Sequence, residues 1–268
     1  MKMSISKVIS LWFGAALFCV AELAAAQAAT VFELSGTAQA TPAGGTARIL
    51  RKGDSVNQGE TVSTGAASSA VLRFEDGQVA ALAANSRLVV TTYVYDRTDA
   101  GKSNVLISLL QGGMRAVTGL IGKARPQQVA YRAAGATIGI RGTDTNITVD
   151  GNVVAVSVTD GQVSFSFGGQ TVVLSAGQGV ITTPSGAIQR VPASGVPAAL
   201  RAQGSPAAAV LAAAMTSLDN PAIAAAVTAA SQAPSGTPPS TGTVGSGTGT
   251  TTTTGGSGGA GGGTASPK

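Results

Sequence analysis

Between Gln162 and Phe167 polar and apolar residues alternate without a break, so Val163, Phe165 and Phe167 share one face and Gln162, Ser164 and Ser166 the other. A period of two fits a strand half buried in a sheet and fits no helix. The runs Arg87 to Tyr95 and Asn152 to Val158 are rich in β-branched and aromatic residues, which suit a pleated surface. Asp76-Gly77, Asp150-Gly151, Asp160-Gly161 and Gly168-Gly169 stand between such runs. Aspartate and glycine tolerate the positive φ that a two-residue hairpin requires, so Val153 to Leu174 is predicted as a meander of three short strands. Asp-Gly-Gln-Val occurs at Asp76 and again at Asp160, without the regular spacing of a repeat array. The expected fold class is all-β, a compact β-sandwich or a short β-solenoid of many short strands, followed by a short Ala-rich helical segment and a disordered tail.

The start of the chain reads as an export signal. Lys2 and Lys7 precede an apolar stretch from Val8 to Val20, and Ala26-Gln27-Ala28 offers a small-residue cleavage site, with Ala24-Ala25-Ala26 as a second. The stretch is short for a spanning helix, which needs about 20 residues. Residues 1–28 are therefore expected to be a signal peptide, and 29–193 one β domain. Removing the leader removes Cys19, the only cysteine, so the mature chain has no disulfide and must be held by buried apolar surface. Residues 194–233 are alanine-rich. Ser205-Pro206 and Asn220-Pro221 each set a capping side chain before a proline at the first helical position, which predicts helices over 206–218 and 221–231. Helices of about a dozen residues are marginal alone and should dock on the β domain or fray. From Pro234 to Lys268 nearly every residue is Gly, Ser, Thr or Pro, a composition with nothing to bury, and this tail is expected to be disordered.

Chemistry is restricted by what is missing. With no histidine and no cysteine beyond the leader, Ser-His-Asp and Cys-His arrangements and thiolate zinc sites are excluded. Two carboxylate pairs remain, Glu75 with Asp76 and Asp96 with Asp99, and both read as loop residues that bond their own backbone rather than as a hydrolase pair. Asp144 and Asp150 hint at calcium ligation, although their spacing does not fit an EF-hand. Arg132, Arg141 and Asp144 could bind an anion, but an ordinary ion pair among them is the favoured reading. The segment from Gly135 to Gly142 lacks the glycine spacing and the lysine of a phosphate-binding loop. Basic residues are scattered and the net charge is only +5, so no nucleic-acid partner is expected.

With those residues laid out, Gly45 to about Val191 resembles the FecR-type periplasmic domain, named for the regulator of ferric citrate uptake in Gram-negative bacteria. The resemblance rests on Gly53-Asp54 and Gly59 to Gly65, on Ser69 to Gly77, on Val105 to Gly113, and most specifically on Ala136 to Asp144 followed by Val153 to Val158, Asp160-Gly161-Gln162-Val163 and Ala176-Gly177-Gln178. It implies that Arg141, Gly142, Thr143, Asp144, Asp160 and Gly161 are motif residues with a structural or interaction role. Gly142 is expected at a strand kink with positive φ, closed by the hydroxyl of Thr143.

Transmembrane regulators that resemble this family carry a cytoplasmic anti-sigma region and a membrane span ahead of the domain. An export-type leader stands in that place here. The expectation is therefore a stand-alone, periplasmic or secreted, non-enzymatic module with no cofactor and no transmembrane segment in the mature chain. Its expected partner is an envelope protein or a cell-wall polysaccharide. A structural or adhesive surface protein and, more remotely, a carboxylate-dependent glycan hydrolase are the alternatives. Oligomeric state is not legible.

Overall fold

The computed structural model describes residues 26–183, 185–203 and 206–233. The leader up to residue 25 and the tail from residue 234 lie outside the described residues. In chain order the strands are β1 (Gln27–Ser35), β2 (Ala38–Thr41), β3 (Arg48–Ile49), β4 (Ser55–Asn57), β5 (Thr61–Thr64), β6 (Ser69–Phe74), β7 (Val79–Leu82), β8 (Arg87–Val94), β9 (Asn104–Val117), β10 (Val129–Ala133), β11 (Ala136–Asp150), β12 (Val153–Phe167), β13 (Gln170–Ser175), β14 (Gln178–Thr182) and β15 (Ile188–Pro192). A short helix, α1 (Leu120–Ala124), follows β9, and α2 (Val196–Ala202), α3 (Pro206–Leu218) and α4 (Pro221–Gln232) follow β15.

Three long strands organise the molecule, because each is paired with different neighbours along its two halves. Val105 to Leu109 of β9 lie in parallel register with Val129 to Ala133 of β10, while Gly112 to Val117 of the same strand run antiparallel to Val149 to Asp144 of β11. The other pairings are antiparallel. One run of hydrogen-bonded neighbours reads β3-β2-β5-β8-β9-β10-β11-β12-β13, and a second reads β4-β1-β6-β7-β9-β11-β12-β14-β15. The apolar faces of the two runs meet. Phe74 on β6 and Tyr93 on β8 lie with ring centroids 5.3 Å apart, and one core cluster joins Val31 and Leu72 to Leu88, Ile107 and Ile138. This is the sandwich of the two expected architectures; the Asp-Gly-Gln-Val echo marks no stacked repeat.

The two copies of that tetrapeptide do different things. Asp76-Gly77 closes the β6–β7 hairpin, as expected. Asp160-Gly161 closes nothing: β12 continues through it from Val153 to Phe167, so the predicted three-strand meander is two strands, β12 and β13. The reason lies across the ladder, where β11 shifts register between Arg141 and Asp144 and again before Thr145. Gly142 there has φ +57° and Gly161 opposite has φ +77°. A glycine in the left-handed region can make a bulge as readily as a turn, and paired bulges twist both strands together. At this crossing β11 and β12 leave one half of the sandwich and enter the other.

The Ala-rich segment is helical and docked. The expected starts at Pro206 and Pro221 are the observed ones. Asn220 accepts the backbone N–H of Ala222 at 2.9 Å and caps α4. Leu211 and Met215 of α3 pack with Ala155 and Ile181 outside the main core, and Ile223, Val227 and Ala230 of α4 cover Val71, Val79 and Ala81. No single described helix is long and apolar enough to cross a membrane.

Tyr131 is fully buried and its hydroxyl has no hydrogen-bond partner among the described residues. Burial pushes its phenol well above the ordinary range. Tyr131→Phe keeps the ring and removes the unsatisfied group, so a thermal melt should show it neutral or up to about 1 kcal/mol more stable.

Candidate functional site

Strand β11 presents Thr137, Gly139 and Arg141 outward while Ile138 and Ile140 point into the core. The register sets Gly139 between Ala130 of β10 and Ser164 of β12, and Thr137 beside Ser166. Three small residues in a row lower the surface there, and Pro126, Gln127 and Val129 raise one wall. The resulting groove encloses about 470 Å³. Thr137, Ser164, Ser166 and Arg141 supply its polar lining beside the apolar Pro126, Val129, Ala130 and Ile140, and neither a carboxylate nor an aromatic ring lines it. Arg132, two residues from Ala130 on β10, is exposed on the same side. Neither arginine is in a salt bridge or a side-chain hydrogen bond among the described residues, a suitable arrangement for an anionic ligand. A Cβ built on Gly139 would meet Ser164 Oγ, the end of a mobile side chain, at 2.6 Å, so the groove's depth depends on the missing side chain.

The expected ion pair among Arg132, Arg141 and Asp144 is not formed. Asp144 is held instead by Arg115 of β9, whose Nε donates to Oδ1 at 2.9 Å and Nη2 to Oδ2 at 2.6 Å. The crossing is the cause. Arg141 pairs with Gln162 on one side of it, whereas Asp144 pairs with Val117 of β9 on the other. Both side chains of the Arg115–Asp144 pair are mostly buried, at 16% and 19% exposure. The hydrogen bonds to Asp144, with its charge and that of Asp219, outweigh burial and raise the Arg115 guanidinium above its usual pKa. Asp160 stands opposite Asp144 in the ladder, and the pairing with Arg115 neutralises the Asp144 side of that like-charged couple. Asp219, between α3 and α4, accepts from Asn146 Nδ2 at 3.0 Å and ties the helices to this cluster. Arg115→Met should leave Asp144 unpaired in a largely dry position and lower stability by about 2 kcal/mol, measured by urea denaturation.

Among the remaining motif residues, Gly142 has the expected positive φ, but the Thr143 hydroxyl does not close the kink alone. Thr118 Oγ1 accepts from Thr143 N at 2.8 Å and donates to Thr143 O at 3.0 Å, clamping it from β9's end.

The carboxylate pairs resolve separately. Glu75 is exposed, while Asp76 is wholly buried, its oxygens taking N–H groups of Gln78 and Ile121 and the hydroxyl of Tyr93. Burial pushes the Asp76 carboxyl above the usual range, against those hydrogen bonds. The two therefore cannot flank a glycosidic bond. Asp96 accepts from Thr98 and Asp99 N, hydrogen bonds that hold it below the usual range, and Asp99 caps the turn at Gly101. Asp144 and Asp150 sit six residues apart on one strand, roughly 20 Å at strand rise, and do not converge. Among the described residues no three carboxylates cluster as a metal site.

Gly139's part in the groove and the Arg115 partner were not read from the sequence. The available signal was the alternation Thr137, Gly139, Arg141, which puts a glycine mid-strand on an outward face, where close approach of another group is its common use.

No curated protein matches the chain. Two crystal structures of a candidate anti-sigma factor from Parabacteroides distasonis are similar at 18% identity, with TM-scores of 0.41 and 0.42 over 54% of this chain. The chain spans 65% and 64% of those solved chains, less than two thirds of their length. The family model described as FecR protein matches residues 60–164, the span that runs from Glu60 through the Gly142–Gly161 crossing to Ser164 of the groove, and on that span this chain carries a FecR domain.

Proposed function

We propose that this chain is an exported, non-enzymatic sensing or signalling module that recognises a carboxylate-bearing partner in the cell envelope, protein or cell-wall polymer, through the groove on β10, β11 and β12. The observation that carries the reading is Arg141: a motif residue, exposed and without a charge partner among the described residues, set at a largely apolar trough that also carries the hydroxyls of Thr137, Ser164 and Ser166. A guanidinium beside hydroxyl donors pairs with a carboxylate through charge-assisted hydrogen bonds. The FecR match supports a signalling or sensing role. Asp76 is buried against the N–H groups of Gln78 and Ile121 and the Tyr93 hydroxyl, so it is not placed to serve with Glu75 as the carboxylate pair of the hydrolase reading.

Two variants test the groove without touching the core. Gly139→Val fills it at a residue whose φ is ordinary, and Arg141→Ser removes the charge at an exposed position. Retention of the protein on purified peptidoglycan sacculi, whose peptide stems carry carboxylates, should fall at least about tenfold in each, through the lost charge-assisted pair in Arg141→Ser and through blocked access in Gly139→Val, with the melting temperature unchanged. Capture of one envelope protein by the wild type, lost in both variants, would assign the groove to a protein partner instead. Retention and capture that survive both substitutions would remove the groove from the function.

A further inference from the structure

The fold bears on the choice between the two processing points that the sequence offers, of which the second, after Ala26, is the less expected. Cleavage after Ala26 and cleavage after Ala28 both have alanine at the last and third-last leader positions. They differ in where the new α-ammonium group lands. Ala28 and Ala29 are buried at 0% and 1% exposure and belong to the main core cluster, whereas Ala26 and Gln27 are exposed. Strand β1 begins at Gln27, which stands opposite Asn57 of β4, and Ala29 pairs with both Val56 of β4 and Phe74 of β6.

We propose that the leader is removed between Ala26 and Gln27, so that the mature chain starts on the first residue of β1; this rests on the exported state proposed above. A start at Ala29 would put a charged amine at a position closed off from water between β4 and β6, neither of which carries a carboxylate along its length; Glu75, just past β6, is exposed, so the amine would stay buried without a buried counter-charge, which is strongly unfavourable. The same cut would delete the Ala28 side chain from the core and the Ala28 carbonyl that accepts from Glu75 N. A start at Gln27 places the amine in solvent. Among the described residues its one backbone loss is the Ala26 carbonyl, which accepts from Gln58 N, and Gln58 is exposed, so water replaces that bond. Hydrolysis of the Ala26–Gln27 peptide bond consumes one water and leaves a carboxylate on Ala26 and an amine on Gln27.

The complete coding sequence, expressed in a Gram-negative host, gives a direct test by mass spectrometry of the N-terminal peptide of the periplasmic or secreted protein. The expected first residue is Gln27, as the free amine or as the cyclic form that terminal glutamine gives on losing ammonia. A first residue of Ala29 overturns the proposal and leaves export standing. A chain that keeps Met1 or Lys2 and stays in the cytosol overturns export and this proposal together. Versions begun at Gln27 and at Ala29 supply the second arm: the Ala29 version should melt at least about 5 °C lower. Equal melting temperatures would remove the physical argument for choosing between the two points.

Discussion

Gly161→Val should be the most damaging of the single substitutions considered, lowering stability by about 3–4 kcal/mol in urea denaturation, which is the range of severe backbone and packing defects. Two effects combine. The residue has φ +77°, which a β-branched side chain does not adopt without strain, and a Cβ there would run into the Gly142 carbonyl on the facing strand. The obstacle is backbone, so no side-chain rotation relieves it. Gly142→Val makes the informative contrast. Gly142 also has positive φ, but a Cβ there meets nothing within 4 Å, so strain acts alone and the loss should be about 1–2 kcal/mol. Equal losses for the two variants would mean that close approach at the crossing contributes nothing.

Asp76→Ala should follow closely, at about 2–3 kcal/mol, because it strands several buried donors at once. The Gln78 and Ile121 N–H groups and the Tyr93 hydroxyl all point at this carboxylate, and Tyr93 also accepts from Asp76's own N–H. The same residue gives a signed pH dependence. Its folded pKa is raised above 3.8, chiefly by burial, so the folded state holds the proton more tightly than the unfolded state. Its linked contribution is fully present below the unfolded value and is lost as pH rises through the folded one. Asp76→Asn cannot ionise, so the gap in stability between wild type and this variant should narrow as pH rises above about 4 in a series of melts. A gap independent of pH would show that Asp76 titrates alike in both states.

What the sequence revealed and what it concealed divide by distance along the chain. The alternation of Val163, Phe165 and Phe167, the hairpin at Asp76-Gly77 and the proline-marked starts of α3 and α4 depend on neighbours within a few residues, and each stands in the fold as expected. Asp160-Gly161 carries the same local signal as Asp76-Gly77, and only Gly142, on another strand, decides that it becomes a bulge. Pairing of Asp144 with Arg115 rather than with Arg132 or Arg141 depends on where the bulges send β11, which no local pattern encodes. The groove belongs to the same class. Its floor comes from β10, β11 and β12, and the alternation that sets Gly139 on an outward face does not tell that Ala130 and Ser164 flank it.

The strands β9, β11 and β12, which serve both halves of the sandwich, leave no seam along which the molecule can come apart. Opening either half means breaking the ladders of strands whose other ends are clamped in the opposite half, so melting is confined to one all-or-none step. Amide protons of Ile138 and Ile147, on opposite sides of the crossing, should then exchange with the same opening free energy. Strands β11 and β12 run without a break from the groove to the face on which α3 packs, so the two surfaces belong to one cooperative unit.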